Sequence, residues 1–248
     1  MKTQALVDAH CHIDLYPNPA QIVAEAEVHR VYTIAVTNAP SVFAHTAKLV
    51  ANSRYVRAAA GLHPELVHSH GHEVEKFPQL LAQTRYVGEI GLDYSTDDVL
   101  VRQRQREVLS QILAWCAEYG NKVLTLHSRR AAADTIAAVG DNYPGRVILH
   151  WFAGSIVELE RAAGCGMYFS INAAMVRSEK GKSLIMRMPR DSVLTESDGP
   201  FVRTRNRPED PTGSNQTLAA LASIWGSEPD EAAEIVLKNF RQLLAERQ

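Results

Sequence analysis

Tyr86-Val87-Gly88-Glu89-Ile90-Gly91-Leu92-Asp93-Tyr94 is a short apolar run that ends in glycine and acid; residues 98–119 follow with a helical pattern, and Lys122-Val123-Leu124-Thr125-Leu126-His127 returns to an apolar run. Within 98–119, Val99, Leu109, Ile112, Leu113 and Trp115 fall at spacings that leave an Arg, Gln and Glu face for solvent. A run, a helix and a second run make a βαβ unit with parallel strands. The same alternation continues to both ends of the chain. Runs at residues 5–9, 31–37, 56–61, 86–90, 122–126, 146–149, 167–171 and 193–195 are rich in β-branched residues and bounded by Gly, Pro or Asn. Pro19, Ser41, Ser155 and Ser178 are read as helix openers, and helices at 217–224 and 229–246 close the chain. Strand and helix repeated eight times predict a TIM (β/α)8 barrel, an α/β fold, as one domain over residues 1–248.

Size and composition agree with that reading. The 248 residues match the usual length of such a barrel, and 46% hydrophobic with 22% charged residues is ordinary globular usage. Three scattered cysteines, Cys11, Cys116 and Cys165, without a CxxC make no disulfide framework and point to a reducing compartment, the cytoplasm. Cys11 and Cys116 are expected to pack inside. No window has the apolar length of a membrane span or a signal peptide, so a soluble protein is expected. With 26 Lys+Arg against 28 Asp+Glu, the net charge of -2 provides no overall field for nucleic acid; any such partner needs a local basic patch.

A barrel of this kind builds its active site at the C-terminal ends of its strands, so each exit carries information. The first strand ends in Asp8-Ala9-His10-Cys11-His12, and its period of two puts Asp8, His10 and His12 on one face. Later exits deliver Glu89, His127, His150 and Asp198, with Glu196 on the same side as Asp198. Taken singly, His127 and His150 read as satisfied core histidines, Glu89 as a buried ion-pair partner and Asp198 as a turn former. Six such groups at one mouth are too many for one tetrahedral ion. Two divalent ions fit better, with Glu89 between them, His10, His12 and Asp198 on one and His127 and His150 on the other; such pairs activate water for hydrolysis.

Around that mouth, His63 in Gly61-Leu62-His63-Pro64 reads as a substrate contact or as a turn histidine. Arg129 suits a phosphate or a surface salt bridge. Arg203, Arg205 and Arg207 follow the last strand, and basic charge there suggests an anionic substrate, with a solvated loop as the alternative. The denser run His68, His70 and His72 belongs to no strand and is read as solvated loop.

In combination these motifs resemble the TatD family of metal-dependent deoxyribonucleases, within the amidohydrolase superfamily. The resemblance runs through Asp8 to His12, Gly61 to Pro64, Gly88 to Tyr94, His127-Ser128-Arg129, His150 to Ser155 and Glu196 to Pro200, nearly the whole chain. It implies a TIM barrel, two divalent ions (Mg, Mn or Zn), and 3′-to-5′ trimming of DNA with single strands favoured. It also implies His10, His12, Glu89, His127, His150 and Asp198 as ligands, with Asp198 and Glu89 catalytic and Asp198 orienting the attacking water. This chain departs from the family at the rim. Ser95-Thr96-Asp97 stands for the usual His-Arg-Asp, Trp151 for Cys, and Arg207 for the acid of Arg-Asn-Glu-Pro. Such divergent members occur in multi-gene bacterial defence modules, as the TatD-like component of the Qat system, so operon partner proteins are an expectation; otherwise a monomer is expected. Two other readings are a hydrolase of a small amide or lactone and a degenerate barrel serving as a binding or partner-dependent subunit. Relatives with the first activity often bridge their metals through a modified Lys on the fourth strand, and residues 86–94 contain none.

Overall fold

Each apolar run forms a strand buried on both faces, because one face turns into the barrel and the other meets helices. In the computed structural model, which describes residues 5–245, these are β1 (Leu6–Cys11), β2 (Val31–Ala35), β3 (Val56–Ala58), β4 (Tyr86–Gly91), β5 (Val123–His127), β6 (Arg146–His150), β7 (Tyr168–Ile171) and β8 (Val193–Thr195). All pairings are parallel, in an arc β1-β2-β3 and an arc β4-β5-β6-β7-β8. Backbone bonds between Ala60 and β4 join the arcs on one side: Ala60 N donates to Tyr86 O at 3.1 Å and Gly88 N to Ala60 O at 2.9 Å. On the other side Asp198 N donates to His10 O and His12 N to Gly199 O, both at 2.9 Å, and Thr195 Oγ1 donates to Val7 O at 2.6 Å. The result is the (β/α)8 barrel.

The helices are α1 (Pro19–His29), α2 (Phe43–Leu49), α3 (Val67–His70), α4 (Phe77–Leu81), α5 (Val99–Tyr119), α6 (Ala132–Val139), α7 (Ile156–Gly164), α8 (Ala173–Arg177), α9 (Glu179–Ile185), α10 (Ser214–Trp225) and α11 (Pro229–Leu244). Their starts follow from capping chemistry. Asn18 caps α1 ahead of Pro19, Ser155 and Glu158 form a reciprocal capping box on α7, and Ser178 caps α9. Ser41 is different: its N–H and hydroxyl both bond the Glu73 carboxylate, at 2.7 and 3.0 Å, and the helix opens at Phe43. The last helix ends at Leu244, while Glu246 of its expected range lies outside the described residues. On α5 the seam is Val108, Leu109, Ile112, Leu113 and Cys116, whereas Val99 is exposed in the first turn and Trp115 sits at the edge.

Strand ends also differ from the expected ones, for a reason that matters to the site. β2 stops at Ala35 because Thr37 turns across to β4, donating to Gly88 O and accepting from Glu89 N, both at 3.0 Å. β3 stops at Ala58 because Ala60 makes the bonds to β4 described above. Conversely β5 and β6 run one residue further, to His127 and His150, so both imidazoles stand on regular strand. Cys11 and Cys116 are buried, as their surroundings required. Among the described residues no helix is long and apolar enough to cross a membrane.

Candidate metal centre

Glu89 is the hub. Two glycines let β4 press its backbone against β5 at this level: a Cβ on Gly88 would lie 2.1 Å from Thr125 Cγ2, and one on Gly91, at φ +141°, 2.1 Å from His127 O. The register against β5 slips between Val87 and Ile90, and such an irregularity re-aims a side chain. Glu89 is thereby buried with its two oxygens facing different groups. Its Oε2 stands 3.5 Å from His10 Nε2 and 3.2 Å from His12 Nε2. Its Oε1 stands 2.8 Å from His127 Nδ1, 2.7 Å from His150 Nε2 and 3.5 Å from His63 Nε2. Asp198 Oδ1 completes the first group, 3.8 Å from His10 Nε2 and 3.7 Å from His12 Nε2.

Neighbouring residues fix which nitrogen faces inward in two of the rings, those of His10 and His127. Thr125 Oγ1 lies 2.7 Å from His10 Nδ1, leaving Nε2 toward Glu89. Asp93 Oδ2 lies 2.7 Å from His127 Nε2, leaving Nδ1 inward. The His10 and His150 rings stack at 3.8 Å, so the two groups share a wall. Glu196 stands behind His150: it accepts from Trp151 N at 3.1 Å, from Asn172 Nδ2 at 2.9 Å and from the Ser170 hydroxyl. Asp8 does not reach the centre. It accepts from Ser197 N and Ser197 Oγ, at 2.9 and 2.6 Å, and ties the exit of β1 to that of β8. Asp198 and Trp151 both hold left-handed backbone, at φ 46° and 40°, a strained conformation that recurs at functional sites.

The donor set fits cations. Ligands at about 2.0–2.1 Å from a tetrahedral ion stand about 3.3 Å apart, and His10 Nε2 to His12 Nε2 is 3.3 Å, His127 Nδ1 to His150 Nε2 3.4 Å. Imidazole nitrogens gathered around each oxygen of one carboxylate are the donors a coordination shell needs. Charge agrees. Burial alone would raise the Glu89 carboxyl, yet the neighbouring His63 and His150 hold it well below its ordinary range. Burial and the His150 charge keep His10 well below its ordinary value, hence neutral with a free lone pair. Burial pushes the Asp198 carboxyl well above its ordinary range; the His150 charge pulls against this, and the charges of Glu196 and Glu89 add to it.

Above these groups opens a cavity of about 570 Å³, with His63, Arg129, Trp151 and Phe201 in its wall. The structure therefore brings together His10, His12, Glu89, His127, His150 and Asp198, with His63 and Arg129 beside them. Arg203, Arg205 and Arg207 are not in that wall. They stand exposed on a hairpin of β9 (Arg203–Thr204) and β10 (Arg207–Pro208), where Arg203 Nη2 donates to Asn206 O at 2.6 Å. His68, His70 and His72 lie on helical turns rather than a loop, and among the described residues no cluster able to hold a metal includes them. Sequence reasoning passed over Asp93 and Thr125. Their signal was there: Asp93 follows Glu89 by four residues at one exit, and Thr125 precedes His127 by two on one strand face.

The chain as a whole is similar to known proteins in sequence and fold. The family described as TatD related DNase matches residues 7–245. An uncharacterized metal-dependent hydrolase of Escherichia coli (strain K12), YjjV, is 31% identical over 254 residues, covering 94% of this chain and 95% of its own. The crystal structure of YjjV, described as a TatD homologue, matches with a TM-score of 0.85 at 28% identity, covering 97% of this chain and 98% of that one. Human deoxyribonuclease TATDN3 is 28% identical over 166 residues, covering 63% of this chain and 58% of that protein.

Proposed function

The chain belongs to the TatD-related DNase family of metal-dependent hydrolases, and from that membership we propose that it cleaves phosphodiester bonds of DNA, removing nucleotides from the 3′ end of single strands. The observation that carries the reading is Glu89, whose two carboxylate oxygens face two separate sets of imidazoles. His10, His12 and Asp198 would hold one divalent ion and His127 and His150 the other, with Glu89 shared, and such a pair supplies an activated water and charge to stabilise both the attacking and the leaving oxygen.

The chain's own residues do the rest. Thr125 and Asp93 lock the rings of His10 and His127. Asp198, whose Oδ1 stands beside His10 and His12, is the group placed to take the proton of the attacking water. Arg129 and His63, in the cavity wall, hold phosphate oxygens. The Arg203, Arg205 and Arg207 hairpin takes the backbone further along the strand, which suits a chain whose net charge supplies no general attraction.

Purified protein with end-labelled single- and double-stranded oligonucleotides, across Mg, Mn and Zn with a chelator control, tests this directly. A ladder shortening from the 3′ end, lost with Glu89→Ala at unchanged folding, is expected; equal cleavage by Glu89→Ala sinks the proposal. The divergent rim, with Trp151 and Arg207, supports service in a Qat-type defence module with operon partners. Phage plaque counts with wild-type and Glu89→Ala operons test that, and equal protection by both would refute it.

A further inference from the structure

Trp151 and Phe201 stand out because they are large, apolar and left in water at the place where water most needs excluding. Trp151 is 38% exposed and Phe201 58% exposed, and both form part of the cavity wall. Neither is loosely placed. Trp151 follows β6, with its N–H on the Glu196 carboxylate at 3.1 Å and its backbone left-handed. Phe201 follows β8, with its N–H on Asp198 O at 3.0 Å and its ring edge-on to His12 at 5.0 Å. Glu196 and Asp198 thus fix the backbone from which the two rings rise at the lip of the centre.

On the reading of the chain as a DNA hydrolase, we propose that Trp151 and Phe201 form a base-stacking lip, with Trp151 as the principal platform for the base of the 3′-terminal nucleotide whose phosphate enters the cavity. The division of chemistry supports it. The buried floor carries cation ligands and Arg129 in the wall suits the anionic phosphate, whereas the lip offers two π faces, and a base is the flat, apolar part of a nucleotide. Stacking tolerates every base, so the lip confers affinity for unpaired, base-bearing ends without reading sequence. A paired terminal base must leave its stack to reach it, which also explains why single strands would be the better substrate.

The test uses the full chain and a 5′-fluorescein single-stranded oligonucleotide, in two forms: one with an ordinary 3′-terminal nucleotide and one with an abasic tetrahydrofuran there. Anisotropy in EDTA reads affinity apart from turnover, and cleavage with metal gives KM and kcat. Stacking on one aromatic is worth about 5- to 150-fold in affinity. Trp151→Ala is expected to raise Kd and KM by that factor with kcat little changed, and Trp151→Phe to recover most of it. The abasic end should cost wild type the same factor and cost Trp151→Ala nothing further. Unchanged Kd and KM in Trp151→Ala, or equal losses on base-bearing and abasic ends, would overturn the lip while leaving the nuclease reading in place. Wild type that neither binds nor cleaves either oligonucleotide would remove both.

Discussion

Gly88→Ala should damage the protein at one point of close approach, and the damage should be repairable. The added Cβ would stand 2.1 Å from Thr125 Cγ2, whereas carbons at rest are about 3.5–4.0 Å apart. Relief requires either that β4 withdraw from β5 or that Thr125 rotate. Overpacking of this kind costs about 1–3 kcal/mol. Rotation of Thr125 also breaks its bond to His10 Nδ1, leaving a buried polar atom at about another 1–3 kcal/mol. For a chain of this size each kcal/mol lowers Tm by about 2–4 °C. Thr125→Ser removes Cγ2 but keeps the hydroxyl for His10, and the nearest remaining neighbour is the backbone carbonyl of residue 125 at 3.1 Å. Gly88→Ala/Thr125→Ser should therefore be more stable than the single changes sum to, by about 1–3 kcal/mol in a urea-denaturation cycle. Strict additivity, or a Gly88→Ala protein as stable as wild type, would refute the reasoning.

Asp93→Asn weakens the acceptor that orients His127, so metal affinity measured by competition with a chelating dye should fall about 10- to 100-fold. Changing Arg203, Arg205 and Arg207 together to Ser should weaken oligonucleotide binding and flatten the dependence of log Kd on log salt by about 0.7 for each phosphate no longer neutralised; an unchanged slope would remove the hairpin from the interface. Glu73 is buried, which would raise its carboxyl, but Ser41 and Lys76 outweigh burial and hold it below its ordinary value of 4.5. Its contribution is therefore present above that value and lost as pH falls through the lower folded one. Glu73→Gln should cost about 1–3 kcal/mol at neutral pH, and its denaturation midpoint should converge on wild type in acid.

The strand exits were legible because a strand's period of two and a barrel's placement of function at one rim leave few choices for where His10, His12, Glu89, His127, His150 and Asp198 can meet. What escaped depends on distant partners. Thr37 and Ala60 look like strand residues by composition, and only their hydrogen bonds to β4 take them out of β2 and β3. Ser41 has the chemistry of a helix cap, but Glu73, 32 residues away, claims it. Arg203, Arg205 and Arg207 follow the strand that delivers Asp198, yet a two-stranded hairpin carries them off the cavity wall. Val99 fits the apolar spacing of its helix but sits in the first turn, past the end of the surface that α5 covers.

Because the sheet is built as two arcs, the grouping around Glu89 spans a structural divide. His10 stands on β1 of the smaller arc with His12 just after it, while Glu89 stands on β4 of the larger arc and Asp198 just after β8. A cation gripped by all four would rivet the arcs together beside the very bonds, Asp198 to His10 and Gly199 to His12, that join them. Chelation would then do more than silence chemistry: it would loosen one side of the cylinder, and resistance to heat and to proteases would rise with the logarithm of free metal concentration.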